Sequence, residues 1–273
     1  LDTKKAEVGA NTTITSLSGL TSINGGQLAG LRNKIINGNL LINQRAVSGT
    51  VSLAAGIYGH DRFKAGAAGC TYTFATAANI TTITISAGSL LQVIEGLSLE
   101  SGTYAFSWTG TAQGKIAGGS FAASGVTAAV TGGTNTTVEF GTGTFTKAQF
   151  ELNTVSVFEQ RPYGMELGLC QRYLPVLNAS TRFMGMAYTT TQVYAAIVFA
   201  VPPRAAATGI SVSVVGGVLL NSAGAALTIT GITFIDANLT SVRLNFTVAS
   251  GLVAGNSTVL IPSGQILFNG CEL

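Results

Sequence analysis

The sequence predicts an all-β protein, a jelly-roll β-sandwich followed by a second, C-terminal β-sandwich, with a short N-terminal arm and helix ahead of both. Three observations carry this. Only 9% of the 273 residues are charged, against roughly 25% in typical soluble domains, whereas Gly (35 residues), Thr, Ser and β-branched residues abound. Short runs of strand-forming residues recur at close spacing between Gly-rich turns, the pattern of a sandwich or jelly roll. Helical spacing is confined to two short linking segments.

In order along the chain, residues 1–26 scatter Val8, Ile14, Leu17, Leu20 and Ile23 among Thr, Ser, Asn and Gly. Such an arm cannot bury a core alone and must pack on neighbouring chains or stay disordered. Over residues 27–36, Leu28, Leu31 and Ile35 share one helical face, predicting a short helix before an Asn37-Gly38-Asn39 turn. The arm and helix together make residues 1–36. Residues 37–162 form the first module, with strands predicted over 70–74, 80–85, 90–94, 102–109, 136–140 and 145–158. In 102–109, Tyr104, Phe106 and Trp108 fall on one face. A linker helix takes 163–176, and 177–273 form the second module. Its strands are predicted over 193–201, 210–215, 227–234, 242–248 and 266–268. Val242, Leu244, Phe246 and Val248 alternate there with Arg243, Asn245 and Thr247, as in a sheet with one solvated face.

The junction between modules is the most distinctive stretch: Phe158-Glu159-Gln160-Arg161-Pro162-Tyr163-Gly164-Met165-Glu166-Leu167-Gly168-Leu169-Cys170-Gln171-Arg172-Tyr173. A strand ends at Phe158, Pro162 removes a ladder donor, and Met165, Leu169, Cys170 and Tyr173 recur at helical spacing until Pro175. This run resembles a signature of bacteriophage tail-fibre and receptor-binding proteins, where it closes a carbohydrate-module-like jelly roll. Three further segments resemble the same family. Residues 9–20 are similar to a shaft repeat before the fibre tip. Arg32-Asn33-Lys34-Ile35-Ile36-Asn37-Gly38-Asn39, with Gln44-Arg45 and Tyr58-Gly59-His60-Asp61-Arg62-Phe63, is similar to the jelly roll's opening. Val201-Pro202-Pro203-Arg204 with Cys271-Glu272-Leu273 is similar to the C-terminal module.

The resemblance implies a homotrimeric fibre tip in the virion tail, assembled in the host cytoplasm. It also implies attachment to other tail or fibre proteins through the N-terminal side, and adsorption to a host surface glycan or other cell-surface receptor. The start at Leu1, without Met or a signal peptide, fits the C-terminal part of a longer polypeptide.

Composition narrows the classes. Mean hydropathy is +0.45, yet no apolar run approaches the roughly 18 residues of a spanning helix, so no membrane insertion is expected. The net charge of +3 is small and its basic residues are scattered, which argues against nucleic acid. Cys70, Cys170 and Cys271 are far apart and odd in number, as for buried thiols in a reducing compartment. No motif calls for a cofactor, and no Cys/His set or Asp-rich loop calls for a metal. His60 is the only histidine, and it reads as a surface-turn residue. Asp61 and Arg62 read as a structural pair, joined to each other or to Arg161. Acid pairs such as Glu95 with Glu100, or Glu151 with Glu159, leave open a tailspike-like enzyme cutting a surface polysaccharide. A purely structural tail element is the other alternative. The leading reading is binding without catalysis. Its candidate residues are Arg182, Tyr188, Gln192 and Tyr194 in the hydroxyl-rich stretch 178–194. Tyr104 and Trp108 stand second, as a sugar-stacking platform or as core.

Overall fold

A computed structural model describes residues 30–273, and among these the chain is nearly all β. The arm and the first part of the predicted helix lie outside the described residues. The first module holds β1 (Val51–Leu53), β2 (Lys64–Ala77), β3 (Ile80–Ile94), β4 (Gly102–Thr109), β5 (Gly114–Ile116), β6 (Val126–Val130), β7 (Thr136–Phe140) and β8 (Gly143–Leu152). They pair in the order β1-β2-β3-β8-β4-β6, with β7 joining β3 to β5.

One strand feeds both layers. The first part of β3 pairs with β8 and its last part with β7. The two runs predicted at 80–85 and 90–94 are therefore a single strand, whose middle stays paired through Ala87 and Gly88. Gly88 sits at φ +71, and a Cβ there would lie 2.0 Å from the Gly69 carbonyl oxygen, so only glycine permits the close crossing. Between the layers, Phe140 stacks on Phe145 at 3.8 Å, with Phe106, Tyr104 and Phe150 around them.

The single α-helix among the described residues, α1 (Tyr163–Gln171), follows Pro162. The second module comprises β9 (Val176–Leu177), β10 (Phe183–Ala187), β11 (Gln192–Val198), β12 (Gly209–Val212), β13 (Gly217–Leu220), β14 (Ala226–Ala237), β15 (Ser241–Val248), β16 (Ser257–Pro262) and β17 (Ile266–Asn269). Here the edges of the sandwich are joined. Six strands close as β10-β11-β15-β14-β13-β16, and β12-β17-β9 form a three-stranded sheet beside them. Closure leaves those six strands no free edge, and Val193, Leu219, Leu244, Phe246 and Leu260 fill the interior.

Two expectations fail around the junction. Residues 30–36 are not helical. Their amides bond to side chains from elsewhere: Glu159 accepts from Leu31 and Asn33, Gln92 from Ile36, and Glu166 from Asn37. Strand β8 ends at Leu152 rather than Phe158, because Asn153 turns left-handed (φ 72) and Glu151 folds the chain back by accepting from the Ser156 amide and hydroxyl.

Helix α1 buries only part of the face its apolar spacing suggests, Cys170 and, just past its end, Tyr173. Met165 is exposed, while Glu166 and Cys170 face inward. Glu166 pairs with Arg161 at 3.1 Å, and Arg161 donates to the carbonyls of Ile35 and Asn33. The buried carboxylate also lies in the first turn, where the helix dipole favours it.

Asp61 takes the Gln44 amide and side chain (2.5 and 2.7 Å), and among the described residues it forms no ion pair with Arg62 or Arg161. Arg62, 2% exposed, donates to the Val93 carbonyl at 2.6 Å and lies 3.5 Å over the Tyr173 ring. Tyr173 in turn donates to Glu95 at 2.7 Å, beside Arg172. The chain's last residues dock here too: Glu272 pairs with Arg45, Tyr58 and Lys64 donate to the Leu273 backbone oxygen, and Arg204 holds the Cys271 and Glu272 carbonyls. All three cysteines are free and buried.

His60 is not on the surface. It is buried, with Nδ1 3.0 Å from the Tyr72 hydroxyl and its ring edge-on to Phe74, and burial lowers its pKa to about 4. The folded value lies below the ordinary one, so the unfolded chain binds more protons between about pH 4 and 6.5. His60 therefore contributes stability that is present above that window and lost on acidification, ~3 kcal/mol in all. Glu272, pushed up to about 7 by burial, acts in the opposite sense. Urea titrations at pH 6.5 and pH 4 separate the two: the native chain loses ~3 kcal/mol more than His60→Gln over that interval, and equal losses would contradict the assignment.

Candidate functional site

Strands β10 and β11 form a hairpin on the barrel wall. Met186 stands opposite Tyr194 and Ala187 opposite Val193. Period-2 alternation sends Val193 and Ala195 inward and leaves Gln192 and Tyr194 on the outer face. The Tyr188 amide donates to the Gln192 carbonyl at 2.8 Å, and the Thr189 hydroxyl oxygen accepts from the Thr191 and Gln192 amides. These bonds fix the turn and bring Tyr188 over Tyr194, their rings stacked at 4.7 Å with a 12° interplanar angle. Tyr188 is 58% exposed, and Met184 and Met186 extend the same face.

Arg243 completes the cluster from β15. Its guanidinium lies 5.9 Å from the Tyr194 ring and pairs with Asp236 on β14. The Val242-to-Val248 alternation shows that Arg243 faces outward, but its place beside Tyr194 depends on the long-range pairing Ala196 to Arg243.

The structure thus brings together Tyr188, Gln192 and Tyr194. It does not bring Arg182 to them. That residue is exposed just before β10, six residues and therefore roughly 20 Å along the extended chain from Tyr188 at ~3.3 Å per residue.

Tyr104 and Trp108 are core residues and offer no platform. Tyr104 is 0% exposed and stacks on Phe150 at 4.8 Å. Trp108 donates Nε1–H to the Ala112 carbonyl at 3.0 Å and meets Phe140 edge-on. Both faces of β4 are covered, since Ala105 and Ser107 are buried as well. An alternating strand read in isolation cannot show that its second face is also packed.

Three of the four candidate catalytic acids have partners at the junction or on β8. Glu95 is held by Tyr173 and Arg172. Burial raises its pKa, and these hydrogen bonds more than offset that, leaving it below the ordinary value. Glu151 is held by Ser156 and Arg32, and Glu159 by the Leu31 and Asn33 amides. Among the described residues no group of three or more His, Cys, Asp or Glu converges as a metal site, and no helix is long and apolar enough to cross a membrane.

Compared with known proteins, the chain matches no family model, no curated protein sequence and no solved structure.

The contrast between core and surface aromatics is measurable by urea unfolding. Trp108→Ala costs ~3–5 kcal/mol, as for a buried aromatic. Tyr188→Ala costs ~1 kcal/mol or less, the scale of one exposed ring pair. Comparable losses in the two variants would contradict the placement.

Proposed function

We propose that this chain is the host-recognition end of a bacteriophage tail fibre, adsorbing the virion to a cell-surface receptor, a glycan, without catalysis. In this reading it acts as a homotrimer joined to other tail proteins through its N-terminal side. The observation that carries it is the exposed Tyr188–Tyr194 stack beside Gln192 on a closed barrel. Tyrosines offer flat apolar faces and a polar tip at low ordering cost, and an amide supplies the donor and acceptor that sugar hydroxyls need. Gln192 and Tyr194 stand on a strand of the closed sheet, which holds such groups well in place, and the hydrogen-bonded turn holds Tyr188 beside them. The motifs similar to tail-fibre tips supply the biological setting. The acids Glu95, Glu151 and Glu159 are each bound to protein partners, which favours binding over hydrolysis.

Single contacts of this kind are weak, and several copies on one virion raise avidity by about 10²–10⁴ without new contacts.

The test is adsorption of the full chain to a panel of bacterial strains. On a strain that binds it, Tyr188→Ala with Tyr194→Ala lowers adsorption at least about tenfold, since one lost contact of ~1.4 kcal/mol is a factor of ten and copies multiply it. Unchanged adsorption would place recognition elsewhere. Shortened polysaccharide in the supernatant would support the enzyme, and a stable folded monomer by light scattering would refute the trimer.

A further inference from the structure

Two cavities open side by side along the junction, sharing Leu41, Ile42 and Tyr163 as common walls. The first, about 340 Å³, is lined also by Asn39, Asn79, Gln160, Arg161 and Glu166. The second, about 290 Å³, is lined also by Asn43, Gln44, Gln171, Asn178 and Gln265. Each is near the lower bound for a small-ligand pocket, and together they make a groove long enough for more than one compact unit.

The chemistry of the groove is uniform. Its polar wall is almost entirely side-chain amide, the group that both donates and accepts. The charged pair in it, Arg161 and Glu166, is mutually neutralised at 3.1 Å and buried, so the groove presents no net charge to a ligand. Tyr163, the first residue of α1, is 61% exposed and stands where the two cavities meet.

Asn39 supplies one of these amides. It is 7% exposed and lines the first cavity. Its backbone carbonyl accepts from the Thr81 amide, but its side-chain amide makes no hydrogen bond to a described residue. Its amide atoms reach the space of the cavity and are free to bond a ligand there.

We propose that this junction groove is a second saccharide site, taking a neutral oligosaccharide of two or more units. Tyr163 packs against the C–H face of one sugar. Asn39, Asn79 and Gln160 bond its hydroxyls, and the amides of the second cavity receive the next unit. An anionic or cationic sugar is disfavoured, because the groove offers it no unpaired opposite charge. The site stands on its own residues and shares with the receptor reading only the chemical class of its ligand.

The experiment is calorimetric titration of the full chain with neutral oligosaccharides of two to four hexose or N-acetylhexosamine units, and with uronic-acid oligosaccharides as the charged comparison. At least one neutral probe binds and the charged ones bind more weakly. Tyr163→Ala and Gln160→Ala, both at exposed positions, each lower the affinity about tenfold or more without moving Tm. The Tyr188→Ala, Tyr194→Ala chain reports the barrel surface separately, so loss of adsorption there with oligosaccharide binding intact would remove the receptor assignment and keep this one. Three results overturn the groove: no neutral probe binding, binding indifferent to Tyr163→Ala and Gln160→Ala, or a Tyr163→Ala chain that changes oligomeric state but not sugar affinity. The last would make the groove a subunit contact.

Discussion

Residues 30–42 run from an exposed start at Gly30 and Leu31 into the interior with no regular secondary structure, and their backbone groups must still find partners, since an orphaned buried amide costs on the order of 1–3 kcal/mol. Some partners are backbone, as where the Lys34 amide gives to the Phe150 carbonyl and the Gly38 and Asn39 carbonyls take the Ala148 and Thr81 amides, but many are side chains. Glu159 takes the Leu31 and Asn33 amides, Gln92 takes the Ile36 amide and gives to its carbonyl, and Glu166 takes the Asn37 amide. Arg161 gives to two carbonyls of the same stretch. Asn33 and Asn37 bridge onward to Ala148, Phe150, Ile42 and Asp61. Gly38 is pressed against β8, where a Cβ would lie 2.4 Å from the Ala148 carbonyl oxygen. The segment, the end of the first module and α1 are therefore one polar assembly, and neither module's position is independent of it.

This explains why the distinctive residues of the sequence lie where they do. The run from Phe158 to Tyr173, the Asn33 and Asn37 stretch, the Asp61-Arg62 pair, Arg204 and Cys271-Glu272 are far apart in the sequence, Asn33 and Glu272 at its two ends, and converge on one junction. Each contributes a charged or amide group that fixes backbone from another segment, or closes a contact such as Arg62 over Tyr173. Buried ion pairs of this sort are weak evidence for added stability, but removing one partner strands the other and is strongly destabilising. Such residues serve architecture, and the surfaces available for recognition are the less distinctive ones, the outer barrel wall and the amide-lined groove beside the junction.

That division marks how far the sequence could be read. Strands β4 and β7 were legible to the residue because their alternation is bounded by turn-forming glycine and asparagine, and the start of α1 was legible from Pro162, although the helix ends at Gln171 and does not run to residue 176, where strand β9 begins. The short β13 and β16 were not, because Gly217–Leu220 and Ser257–Pro262 gain their strand character from pairing with each other across the barrel. The helical face misled over residues 30–36 for the same reason: side chains 56 to 128 residues away outcompete the local helical bonds. Of the candidate site, Tyr188, Gln192 and Tyr194 share a face that alternation reveals. The arrival of Arg243 and the burial of Tyr104 and Trp108 depend on tertiary packing that no local pattern carries.

The central claim is that side chains hold residues 31–42 as firmly as a ladder holds a strand. Native-state amide hydrogen exchange tests it most directly. The Leu31, Asn33, Ile36, Asn37 and Ile42 amides are predicted to exchange as slowly as those of β4 and β8, through global unfolding only. In Glu166→Ala they are predicted to lose protection together with the strands, as the stranded Arg161 charge lowers stability by ~3–5 kcal/mol. Exchange of these amides at loop rates while β4 and β8 stay protected would contradict the account.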